Sequence, residues 1–428
     1  MRELRVHKSG PLRGELRVPG DKSISHRALL LAAIADGTSS ITGFLASNDS
    51  LATLTCVRSL GITVERLDGR LVVHGHGRHG LLPAKSPLDC VRSGTAMRLL
   101  TGILAGQPFK SALTGQEQLR ARPMGRIVEP LTAMGARIET DNGHAPLVIR
   151  GGGLHGITYD MPIASAQVKS ALLLAGLYAD SPTSVREPGP TRDHSERMLA
   201  AMNARITANE DSITISPSEI SPVSIDIPSD FSSAAFPIIA ATIVPGSRIT
   251  LRGVGINPTR TGLLDALSSM GASIAVKGFD TMSSEPVSDL AVQSDFLGST
   301  EIYGDTVVRM IDEFPILAVA ATQATGRTVV RDARELRVKE TDRIATATEE
   351  LRKLGASIEP TEDGFIVQGP TQLHGASVSS HGDHRLAMAL AVAGLVADGV
   401  TRIDDIACAD DSFPGFVELM RGIGGEYE

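Results

Sequence analysis

Two groups of residues combine cations with hydroxyls and carboxylates at spacings that suit the capture of an anion. The first is Asp21-Lys22-Ser23-Ile24-Ser25-His26-Arg27. On a helix Ser23 and Arg27, four apart, share a face, and Lys22 stands at its mouth. The second is Arg337-Val338-Lys339-Glu340-Thr341-Asp342-Arg343. Ile344, Leu351 and Leu354 mark the buried stripe of a helix ending at Gly355, which puts Lys339 and Arg343 together on its first turn. Cations there oppose the helix dipole, so an anionic ligand is called for, or else compensation by Glu340 and Asp342. From spacing alone, capped helices with solvated ion pairs fit as well as a binding site.

The elements that must carry these groups recur six times. A small or polar head runs into an apolar stretch of helical length near Ser23, Ser93, Ser165, Ser232, Asp312 and Asp383. Five of these stretches are followed by glycine, at Gly37, Gly106, Gly246, Gly326 and Gly399, which reads as a left-handed helix stop. A second helix in each repeat closes with its own mark: Leu60-Gly61, Met134-Gly135, Met270-Gly271, Leu354-Gly355, Ile423-Gly424 and, with the other residue tolerant of that conformation, Met202-Asn203. Stretches such as Ala28 to Ala35 and Leu386 to Ala397 are apolar nearly all round, hence buried. Their N-termini then offer free N–H groups to anions. The repeat is read as a small α/β module, three modules to a domain.

In order and spacing, Asp21 to Arg27, Gly94-Thr95-Ala96-Met97-Arg98, Arg122-Pro123-Met124-Gly125, Ser165-Ala166-Gln167, Arg337 to Arg343 and Asp383-His384-Arg385 closely resemble the 5-enolpyruvylshikimate-3-phosphate synthase family, from about residue 10 to Gly424. The resemblance implies an α/β fold of two similar domains, each of three βαββαβ units in an inside-out α/β barrel, with the ligand cleft between them. It puts residues 1–20 plus 231–428 in one domain and 21–230 in the other. The implied reaction joins phosphoenolpyruvate to the 5-hydroxyl of shikimate 3-phosphate by addition and elimination, releasing phosphate, as a step of chorismate and aromatic amino-acid biosynthesis. Carried over residue by residue, Lys22, Ser23, Arg27, Ser165, Ala166, Gln167, Arg192, Asp312 and Lys339 contact shikimate 3-phosphate. Lys22, Gly94, Arg122, Gln167, Arg343 and Arg385 contact phosphoenolpyruvate. Asp312 is the base, and Glu340 or Lys22 the proton donor. Arginine forks and a lysine point charge suit substrates that each carry a phosphate and a carboxylate. No metal or organic cofactor is implied.

The chain departs from the family pattern at Val91-Arg92-Ser93, where Gly-Asn is common, and at Leu99, where one subgroup has proline. It also has no lysine before Phe413-Pro414. With Ser165-Ala166-Gln167 and Asp312-Glu313-Phe314-Pro315, this resembles the glyphosate-tolerant-type subgroup of this herbicide's target. The sister enzyme acting on UDP-N-acetylglucosamine would carry a cysteine where Glu117 stands. A non-catalytic anion-binding repeat protein would have no use for Asp312 and Glu340. The 428 residues have a net charge of −8 and no Trp, which argues against nucleic-acid binding. Three scattered cysteines and the lack of a signal-peptide core or a spanning apolar run point to a cytoplasmic protein with no membrane partner, and a site completed within one chain needs only a monomer. Gly75-His76-Gly77-Arg78-His79-Gly80 spells a dinucleotide fingerprint, but Pro83 and Pro87 stand where its helix would be. His74, His76 and His79 lack the supporting ligands of a metal site.

Overall fold

A computed structural model describes residues 3–209 and 212–428. By their own contacts they divide into two compact units. Of the described residues, one unit takes 3–19, 228–280 and 286–428; the other takes 20–209 and 212–227, with the short segment Thr281–Glu285 grouped with it.

Three long apolar helices form the centre of each unit: α1 (Lys22–Ile34), α2 (Gly94–Ala105) and α3 (Ala166–Gly176), and then α4 (Phe231–Ile243), α5 (Phe314–Gln323) and α6 (His384–Gly394). All thirteen residues of α4 are buried, as are Ile24 to Ile34 of α1. The helices therefore have no solvent face, and their apolar residues form one core cluster per unit. Glycine permits the closest of these approaches. A Cβ on Gly102 of α2 would lie 2.3 Å from the Ala171 carbonyl oxygen of α3.

Around the helices the chain lays down small sheets in one repeated order. Lys110–Thr114 pairs parallel with Leu88–Asp89 and antiparallel with His144–Arg150, which pairs in turn with Arg137–Asp141. The register sets Leu113 opposite Leu88 and Leu147. The same order holds for Thr183–Arg186 with Thr158–Asp160, Ile213–Ile215 and Ile206–Ala208, and for Gly326–Val330 with Glu301–Ile302, Phe365–Gly369 and Ser357–Pro360. Elsewhere the parallel edge comes from a distant part of the chain. Ser224–Asp226 lies beside Asp36–Thr42, and Arg13–Leu16 beside Arg248–Gly255. The sixth sheet sets Val400–Asp404 between Ser377–Val378 and Glu3–His7.

The second helix of each module ends as its sequence predicts. Gly61, Gly135, Asn203, Gly271, Gly355 and Gly424 all have φ between 62° and 104°. At each the next amide reaches back to close the last turn, as Ala136 N does to Leu131 O at 3.0 Å and Ala204 N to Leu199 O at 2.9 Å.

The glycines after the first helices behave differently. Gly37, Gly246, Gly326 and Gly399 have positive φ but lie beyond the helix caps, and Gly106 is right-handed with φ −84°. Gly106 is small because a Cβ there would sit 2.2 Å from the Tyr178 ring. The helix heads shift as well. Asp21 and Asp230 are the caps, not Ser23 and Ser232, since their carboxylates accept from Ile24 N and Ser232 N. α5 starts at Phe314, so Asp312 stands in the turn before it.

Candidate active site

In the unit carrying α1, the helix starts one residue after the Asp21 cap, which leaves Lys22 at its mouth and Arg27 one turn in. The Lys22 ammonium pairs with Asp49 at 3.1 Å. Arg27 is buried, and each guanidinium nitrogen donates once: Nε to Ser195 Oγ at 2.7 Å, one terminal nitrogen to Ser23 O at 3.0 Å, the other to Ser170 Oγ at 2.8 Å. Burial lowers the Arg27 pKa to about 10, with Glu196 and Asp21 opposing the shift and Arg192 adding to it. Arg192 thus stands within electrostatic reach of Arg27. His26 bonds Thr53 Oγ1 at 2.7 Å, and burial, reinforced by Lys22 and Arg27, pushes it well below the usual histidine range. It is a neutral spacer.

At the head of α2, Gly94 lies under two guanidinium groups. A Cβ there would come 2.9 Å from Arg122 and 3.0 Å from Arg98. Arg98 donates to Gln167 Oε1 at 2.5 Å, and Gln167 donates to Thr95 Oγ1 at 2.9 Å. Ser165 caps α3 by accepting from Val168 N at 3.4 Å, and Ala166 is the first residue of that helix. Gly94, Arg122, Gln167 and their neighbours thus gather at two helix N-termini, where free N–H groups add to the positive field. Arg92 turns to Gln118, its Nε donating to Oε1 at 2.8 Å.

The other unit surrounds Asp312 with cations. Arg343 stands 3.5 Å away, and Lys339 and Arg385 each 3.8 Å away. Arg343, the first residue of the helix Arg343–Lys353, holds Asp383 through two nitrogens at 2.7 and 3.2 Å and Glu340 at 2.7 Å. Burial works against its charge, but Asp383, Glu340 and Asp312 outweigh it and raise its pKa. The same guanidinium depresses the pKa of Asp383 against the opposing effect of burial. Burial also lowers the Lys339 pKa, in spite of Asp312. Lys339 is not on the first turn of that helix. Asp342 is the cap, accepting from Ala345 N, and Lys339 closes the preceding 3-10 turn. One terminal nitrogen of Arg343 is buried and makes no hydrogen bond to any described residue. The Arg385 ion pairs to Asp312 and Glu313 are both 3.8 Å long, beyond hydrogen-bond range. A buried donor and a loosely held cation around one carboxylate suit an oxyanion ligand that is itself an acceptor.

Several supporting residues escaped the sequence reading. Lys169, in α3, is fully buried between Glu187 at 2.7 Å and Glu196 at 2.6 Å. Arg260 reaches the α4 head, donating to Asp230 at 3.0 Å and Ser232 at 2.7 Å, while Ser232 donates to Glu313. Lys169 alone left a signal: a cation inside an apolar stretch that must be buried on all sides. The glycine pattern at residues 75–80 lies at a strand end, and no helix follows over 77–87.

A repeated α/β module, with cations at helix heads in both units and carboxylates at the heads of α1, α4, α5 and α6, defines a two-unit α/β protein equipped to handle anions. The sequence matches the EPSP synthase (3-phosphoshikimate 1-carboxyvinyltransferase) family over residues 6–420. It is 52% identical to the 3-phosphoshikimate 1-carboxyvinyltransferase of Desulforudis audaxviator, over 98% of this chain and 99% of that one, and 52% identical to that of Geobacter sulfurreducens over the same shares. The EPSP synthase structure from Acinetobacter baumannii superposes with a TM-score of 0.89 at 42% identity, over 100% of this chain and 99% of the other. The chain belongs to the EPSP synthase family. No helix among the described residues is long and apolar enough to cross a membrane.

Proposed function

We propose that the chain transfers the enolpyruvyl group of phosphoenolpyruvate to the 5-hydroxyl of shikimate 3-phosphate and releases phosphate. The family supports the reaction, and the observation that carries the residue roles is the setting of Asp312, with Lys339, Arg343 and Arg385 around it at 3.5–3.8 Å. In this reading Asp312 takes the proton of the 5-hydroxyl as its oxygen attacks C2 of phosphoenolpyruvate. Glu340, or Lys22, gives a proton to the methylene carbon. The tetrahedral intermediate then loses phosphate, and a proton leaves the methyl group to restore the double bond. Lys22, Gly94, Arg122, Gln167, Arg343 and Arg385 hold phosphoenolpyruvate. Lys22, Ser23, Arg27, Ser165, Ala166, Gln167, Arg192, Asp312 and Lys339 hold shikimate 3-phosphate. Cations fixed before the reaction stabilise the charge of the intermediate without reorganising.

Every proposed residue comes from one chain, so the reading is of a monomer, and of a cytoplasmic one. Asp312→Asn tests the base. It should bind shikimate 3-phosphate within about threefold of the wild type by calorimetry and lose about 10²–10⁴-fold in turnover. Near-normal turnover would refute the assignment.

A further inference from the structure

Glu350 is a fully buried carboxylate near the end of the helix that Arg343 begins. One oxygen accepts from Ser379 N at 2.9 Å; the other accepts from His381 Nε2 at 2.7 Å and the Lys353 ammonium at 2.8 Å. Its charge is stabilised in place: burial opposes ionisation, but Lys353, Ser379 N and His381 outweigh it and lower its pKa. Glu349, Glu350 and His381 are close enough to suggest a cation site, but the Lys353 ammonium already stands 3.1 Å from Glu349 and 2.8 Å from Glu350. The cluster serves something other than a metal.

The segment that Glu350 grips is the turn leading into α6. His381 has φ 51° and Gly382 φ 69°, and Ser380 O accepts from Asp383 N at 2.9 Å. Asp404 holds the same turn from the strand side, accepting from Ser380 N at 2.7 Å and Ser379 Oγ at 3.0 Å. Two residues on, Asp383 caps α6 through Arg385 N at 2.9 Å and binds Arg343. The helix Arg343–Lys353 and the segment 379–385 are therefore pinned at two points, Arg343–Asp383 at one end and Glu350 at the other. The ion pair fixes one point, and with both helices packed in one core and Asp404 already on the turn, Glu350 supplies the contact that ties the turn to the helix itself. The second contact fixes their relative setting.

We propose that Glu350 is a positioning residue of the anion site, setting where Arg343 and Arg385 stand by clamping the turn that precedes α6. The proposal rests on the reading that these two arginines hold phosphoenolpyruvate, so the effect should fall on that substrate. Glutamine at 350 offers one carbonyl where the carboxylate offers two acceptors, so one side of the clamp is lost with little change of volume.

The test is steady-state kinetics of Glu350→Gln, His381→Ala and the double variant, each substrate varied in turn, with circular dichroism to establish folding. Glu350→Gln should raise KM for phosphoenolpyruvate about tenfold, with kcat and KM for shikimate 3-phosphate within about threefold. His381→Ala should raise the same KM about threefold, and the double variant should be no worse than Glu350→Gln, because both break one clamp. An unchanged KM for phosphoenolpyruvate in folded Glu350→Gln, or an equal rise for both substrates, overturns the proposal. If Glu350→Gln does not fold, an unchanged KM in His381→Ala overturns it. Arg385→Ala separates the two levels: no effect on KM for phosphoenolpyruvate there would refute the underlying reading of the site.

Discussion

Replacing Lys169 by Met would leave Glu187 and Glu196 without the ammonium that stands between them. Methionine keeps the unbranched stem of lysine, so the perturbation is one of charge more than of packing. The ammonium now lies 2.7 and 2.6 Å from the two carboxylates and is fully buried. Two unit charges at that distance attract by about 6 kcal/mol at an effective dielectric constant near 20, and most of this offsets the cost of desolvation. Breaking such a group costs about 3–5 kcal/mol.

The pH dependence makes the test specific. Burial raises the Glu196 pKa above its unfolded value even with Lys169 in place, which opposes the shift. A carboxyl with a raised folded pKa favours the folded state below its unfolded pKa, and that contribution is lost as pH rises through the folded value. Without Lys169 the shift grows, so the deficit of the variant should be full at neutral pH and shrink as pH falls toward 5. Each further unit of raised pKa is worth about 1.4 kcal/mol. Urea unfolding followed by far-ultraviolet circular dichroism at pH 7.5 and pH 5 measures both numbers. A deficit below about 1 kcal/mol at pH 7.5, or one independent of pH, would refute the account of this buried triad.

Other perturbations follow from single contacts. Gly94→Ala places a Cβ 2.9 Å from Arg122, so that guanidinium must move; KM for phosphoenolpyruvate should rise about tenfold and more than that for shikimate 3-phosphate, in initial-rate assays. Gly106→Ala meets the Tyr178 ring at 2.2 Å in a backbone conformation any residue adopts, and overpacking should lower stability by about 1–3 kcal/mol in urea melts. Arg27→Lys keeps the charge but cannot serve Ser195, Ser23 and Ser170 together; calorimetry should show shikimate 3-phosphate binding weakened by at least about tenfold.

Much of the module was legible because its signals are local. An apolar residue followed by glycine or asparagine announces a left-handed helix stop, and all six of those stops have positive φ. An apolar run without a polar face announces a buried helix, as α4 shows. The glycines at 37, 106, 246, 326 and 399 misled because a small residue also serves a strand entry or a crowded ring, which spacing does not distinguish. Asp21 and Asp230 were hidden as caps by the serines beside them. The placement of Lys339 failed because the apolar stripe begins only at Ile344 and does not mark the cap, which at Asp342 starts the helix three residues after Lys339. The supporting shell was illegible for a different reason. Lys169 meets Glu187 and Glu196 18 and 27 residues downstream, and Glu350 meets a turn near residue 380. Such pairings depend on packing of the whole unit and leave no periodic mark.

The most direct measurement is phosphate release from the purified protein given phosphoenolpyruvate, with and without shikimate 3-phosphate. The account predicts release that depends strictly on both substrates, one phosphate for each enolpyruvyl group transferred. Release from phosphoenolpyruvate alone at the same rate, or none with both present, would contradict it.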